Sequence, residues 1–116
     1  MTPNELATAI DALIRKAVTE HLPANLAAPL SRSRHPQLPL ASQWFAGLSE
    51  ADRERLRDVL SMAASGAAFA VLAFLDGARE SPLDGRHLDF RLFVKNQDGS
   101  EQEVPLDAPP LHELTP

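Results

Sequence analysis

The side chains best suited to general-base or metal chemistry are four histidines, His21, His35, His87 and His112, which stand 14, 52 and 25 residues apart along the chain. No two have the short spacing that sets a pair of ligands on one helix face. His112-Glu113 shares its first two letters with the zinc-protease helix, but the second histidine four residues on is missing. Cysteine is absent, which removes disulfides, thiolate catalysis and cysteine metal sites. There is no glycine-rich phosphate loop and no Gly-x-Ser-x-Gly elbow. The expectation is therefore a chain with no catalytic residues, no cofactor and no metal.

Two surface clusters could instead recognise a partner. Ser31-Arg32-Ser33-Arg34-His35 is a basic cluster in an acidic chain, able to pair with carboxylates or a phosphate. Phe93 stands between Arg91 and Lys95, and aromatic and arginine side chains often anchor interfaces. Arg32, Arg34, His35, Arg91 and Phe93 form the candidate interaction surface. Sixteen acidic residues against eleven Lys and Arg, a net charge of −5, argue against a general binder of phosphate backbones, so no nucleic-acid partner is expected.

These residues must be positioned by 116 residues, enough for a single domain, 1–116, around one core. The acidic start, Met1-Thr2-Pro3-Asn4-Glu5, lacks the basic flank and apolar core of a secretory signal, and a cytoplasmic location is expected. Thr2, Pro3 and Glu5 have the order of a capping box, and the apolar spacing from Leu6 to Val18 predicts an amphipathic helix over 3–22, stopped by Pro23. Four prolines between 23 and 40 predict a long loop anchored by Leu26, Leu30, Leu38 and Leu40. A short helical turn, 41–47, presents Trp44 and Phe45, and Ser49 then caps a second long helix over 50–75, which Asp76-Gly77 ends.

The alanine-rich stretch in that helix, "ASGAAFAVLAFLDG" (64–77), is short and weakly apolar for a membrane span, so it reads as a central helix buried nearly all round, with no membrane partner. Ala63, Gly66, Ala67 and Ala70 would let backbones approach, and surface left uncovered would pair with a second copy as a homodimer. From His87 the period changes to two, predicting strands over 87–95 and 100–106. A three-residue loop, Gln97-Asp98-Gly99, with Gly99 left-handed, pairs Leu92 with Val104, Phe90 with Leu106 and Lys95 with Glu101. Leu111 and Leu114 would then dock the last segment as a clasp.

"FAVLAFLDG", the charged hairpin and the terminal "LHEL" resemble a pattern in short bacterial proteins without assigned activity: a helix ending in Leu-Asp-Gly, two strands and a Leu-His-Asp/Glu-Leu finish. The resemblance covers about the last fifty residues and implies the layout alone. Some such small acidic proteins resemble immunity partners of toxins. The predicted fold is α+β, and the predicted function is that of a small non-catalytic protein-interaction module. The alternative is a small-molecule binder or enzyme using the 32–35 loop or a cavity beside the central helix.

Overall fold

The computed structural model describes residues 1–28, 36–106 and 109–114. The fold is α+β: helices α1 (Pro3–Lys16), α2 (Leu22–Ala27), α3 (Leu38–Ala46) and α4 (Glu50–Leu75), strands β1 (Leu92–Lys95) and β2 (Glu101–Val104), and a closing 3₁₀ turn, Leu111–Leu114. Two compact units form, one from Met1–Leu13 with Gly66–Pro116 and the other from Ile14–Ser65.

In the first unit, α1 opens as its sequence dictates. The Thr2 N–H donates to Glu5 Oε2 at 3.0 Å and the Glu5 N–H returns to Thr2 Oγ1 at 3.1 Å, so two orphan donors are satisfied reciprocally. α4 ends in an equally legible device. Gly77 adopts φ +81°, the Ala78 N–H reaches back to Ala73 O at 2.9 Å and the Gly77 N–H to Phe74 O at 3.3 Å, the paired bonds of a glycine-terminated helix. Ala7, Leu72, Val104, Leu106 and Leu111 make the buried core, with Leu6, Ile10, Leu75, Phe90, Leu92, Val94 and Leu114 against it. The clasp expected from Leu111 and Leu114 is thus docked.

The strands are antiparallel, with Leu92 opposite Val104 and Lys95 opposite Glu101, and Gly99 is left-handed at φ +86°. The expected register and turn are those observed. The ladder is shorter than expected, four residues a side. Phe90 and Leu106 share the core but lie beyond the ladder.

In the second unit, Pro23 does not stop the first helix. A wide π turn, Ala17–His21, intervenes, with the Leu22 N–H donating to Ala17 O, and the chain continues as α2 with Pro23 in its first turn. The widened turn gives the proline ring room from the carbonyl four residues back. Thr19 Oγ1 donates to Arg15 O at 2.7 Å within the same distortion. The expected 23–40 loop is therefore helical at both ends, and α3 starts at Leu38 with Pro39 in its first turn rather than at 41. Leu26 is buried as an anchor, whereas Leu40 is 71% exposed. Ser42 Oγ donates to Leu26 O at 2.7 Å, closing an open α2 carbonyl.

α4 begins as expected, Ser49 Oγ accepting the Asp52 N–H at 3.1 Å. It is not buried all round. Ala64, Ala68, Leu72 and Ala73 are buried, while Ala63, Gly66 and Ala67 are exposed. By length and composition alone α4 is able to cross a membrane, and 22% of its most apolar stretch is buried. The reason lies in geometry: twenty-six residues make a rod about 39 Å long, and the remaining elements are too few and short to encircle it.

Candidate functional site

The closing segment is fastened to the end of α4 by one carboxylate. Asp76, 1% exposed at its side chain, accepts the Ala78 N–H on Oδ1 at 3.0 Å. Its Oδ2 accepts the His112 backbone N–H at 3.0 Å and lies 2.6 Å from His112 Nδ1. A carboxylate offers only acceptors, so Nδ1 carries the proton in this pair. Burial pushes the Asp76 carboxyl up, but the hydrogen bonds from His112 and Ala78 and the nearby imidazole outweigh it and hold the carboxyl below its ordinary value. Phe69 presents its ring edge-on to His112, centroids 5.4 Å apart, and the Arg79 guanidinium lies 5.6 Å from the Phe69 centroid. The arrangement pins Leu111–Leu114 against the helix end.

Beside the pin is a hollow of about 600 Å³, with Leu75, Phe90 and Val104 as apolar floor and His87, Asp89 and Arg91 among its polar lining. Arg91 and Glu103 close one edge as a two-pronged ion pair, 3.0 and 2.9 Å, which raises the arginine and lowers the carboxyl from their ordinary values. Among the described residues no three His, Asp or Glu side chains could hold a metal ion together.

In the second unit α3 and α4 expose a set of apolar side chains. Trp44, Leu48, Leu56 and Val59 line a hollow of about 330 Å³ with Asp52 and Arg55. Leu40 lies one turn before Trp44, and Met62, 74% exposed, one turn beyond the 58% exposed Val59. The base of α3 is fixed by Arg53, whose guanidinium donates to Phe45 O at 3.3 Å and Ala46 O at 3.4 Å and stacks 4.7 Å over the Phe45 ring. A cation there complements the helix C-terminus.

Of the residues picked from sequence, Arg91 and Phe93 come together: the guanidinium lies 5.4 Å from the ring centroid, and Phe93 is half exposed on the outer face of the hairpin. Arg91 is committed to Glu103, so this patch offers a ring more than a charge. Arg32, Arg34 and His35 lie outside the described residues. Sequence reasoning missed the Asp76–His112 pair, although the Leu-Asp-Gly and Leu-His-Glu-Leu stretches that carry it were both visible, 36 positions apart. It missed Arg53 as a cap because the carbonyls it holds, of Phe45 and Ala46, belong to the preceding helix. No known protein family matches the chain, and neither a curated protein nor a solved structure does.

Proposed function

We propose that this protein acts by binding protein, without catalysis, through the α3–α4 face that carries Trp44, Val59 and Met62, and that its first partner is a second copy of the chain. The supporting observation is the exposure of Leu40, Trp44, Val59 and Met62 on neighbouring turns of two helices. Buried apolar area drives association, and a tryptophan beside an arginine is the composition of an interface anchor. Self-pairing is favoured by charge. Asp52 and Arg55 lie one turn apart on this face, so a two-fold axis between them sets each acid against the other copy's base. Both ions would be stranded if the same face lay in hydrocarbon.

Static light scattering at micromolar concentration tests the reading. The expected mass is twice 12.6 kDa, and Met62→Glu is expected to return the monomer, weakening association at least about tenfold, equivalent to about 1.4 kcal/mol. A monomeric unmutated protein would overturn it, as would transfer of the chain from solution into phosphatidylcholine vesicles.

A further inference from the structure

Another opening lies in the first unit, near the pin. Ala70, Val71 and Phe74 of α4 form one wall, Pro82, Leu83 and Leu88 the other, around a groove of about 530 Å³, a size typical of small-molecule sites. The outer wall is a built loop. The Ser81 N–H donates to Arg86 O at 2.7 Å, the Gly85 N–H to Ser81 O at 2.9 Å, and the Leu83 N–H to Ser81 Oγ at 3.2 Å. Asp84 further accepts the Arg86 backbone N–H at 3.1 Å and its Nε–H at 2.8 Å. This ordered loop holds Leu83 on the groove and 95% exposed. A leucine fixed in water on a rigid support forgoes the stabilisation that a molecule lying in the groove would restore.

Arg79 stands at the groove's rim. Arg57, Arg86 and Arg91 each have a carboxylate partner; among the described residues Arg79 has none and lies over the Phe69 ring instead. Glu80 lines the groove as well, but it makes no ion pair with Arg79, and its Oε2 lies 4.0 Å from where a Cβ on Gly85 would stand. An apolar trough with an arginine that no carboxylate pairs is complementary to a molecule with an apolar body and one negative end. A peptide suits it poorly. Its backbone amides would lie against Ala70, Val71 and Phe74, and the Ser81 hydroxyl oxygen already accepts from Leu83. An alkyl tail needs no such partners. We infer that this groove binds a free carboxylic acid with an unbranched apolar tail, the tail between α4 and Leu83 and the carboxylate on Arg79.

Isothermal titration calorimetry at neutral pH with decanoate, decanol and decylamine, each below its aggregation concentration, tests the assignment. Decanoate is expected to bind saturably at one site per chain, decanol at least tenfold more weakly and decylamine more weakly still. Arg79→Gln should reduce decanoate to the affinity of decanol, and Leu83→Ser should weaken both while leaving the thermal melt unchanged. Met62→Glu, which lies outside the groove, should leave decanoate binding intact, which separates this inference from the proposed self-pairing. Equal affinity for decanoate and decanol, an Arg79→Gln variant that binds decanoate normally, or no saturable heat overturns it. Tighter binding of a short peptide ending in a leucine carboxylate overturns the choice of a free acid.

Discussion

A carboxylate just past the C-terminus of a helix sits where the helix dipole disfavours it, and Asp76 remains there because three N–H groups converge on it. Removing the acceptor leaves those donors unpaired at the edge of the core, so Asp76→Ala is expected to cost about 2–3 kcal/mol in urea unfolding. His112→Ala should cost less, because the backbone N–H of residue 112 still reaches Asp76. An Asp76→Ala midpoint equal to that of the unmutated protein would remove the pin from the account. The same residue gives a pH dependence of definite sign. Its folded pKa lies below the ordinary carboxylate value, so its stabilisation is complete above the unfolded value and is lost as pH falls through the folded one. Thermal melts from pH 5 downward should therefore fall more steeply for the unmutated protein than for Asp76→Asn. Neither Asp76 nor His112 announced this role, because each had a sufficient local explanation: a helix stop in one case, an amphipathic turn in the other. Only the fold brings the two stretches together.

The start of α1, both ends of α4 and the hairpin were legible for a shared physical reason: each is fixed by residues within a few positions of one another. Thr2 with Glu5, Ser49 with Asp52, and Gly77 after Asp76 are local hydrogen-bond solutions. The register of β1 and β2 was fixed by demanding sense on both faces at once. Gly99 makes that turn testable. Nothing lies within 4 Å of a Cβ added there, so a substitution meets strain from its positive φ alone. Gly99→Val is expected to cost about 1–3 kcal/mol and Gly99→Asn clearly less, since asparagine tolerates the left-handed region. Equal urea midpoints for the two would contradict the turn. The buried side of α4 was not legible, because alanines occupy both flanks: Ala64 and Ala68 are inside, Ala63 and Ala67 outside, and an alanine discloses neither. Gly66 lies in the helix with open space around its missing Cβ. Gly66→Ala should raise stability by about 0.5–1 kcal/mol through helix propensity, and a loss in thermal or urea melts would mean that a neighbour occupies that space.

At the scale of the molecule, the boundary between the two units falls inside α1, after Leu13, and inside α4, after Ser65. The unit holding the largest buried side chains is assembled from both flanks of the sequence: Ala7 and Leu111 belong to one cluster although more than a hundred residues separate them. Leu111 is fully buried, so Leu111→Ala is expected to cost about 2–5 kcal/mol of global stability; a loss confined to local fraying of the last turn, read by hydrogen exchange, would contradict this. The same closure sets an order of events during synthesis. A ribosome delivers Ala7 long before Leu111, so this core cannot be completed until Leu111 has been made, and α4 must wait with Leu72 unsheltered until then. Contacts of such long sequence separation slow folding. The nascent chain, more than the finished protein, is therefore the form most in need of a chaperone.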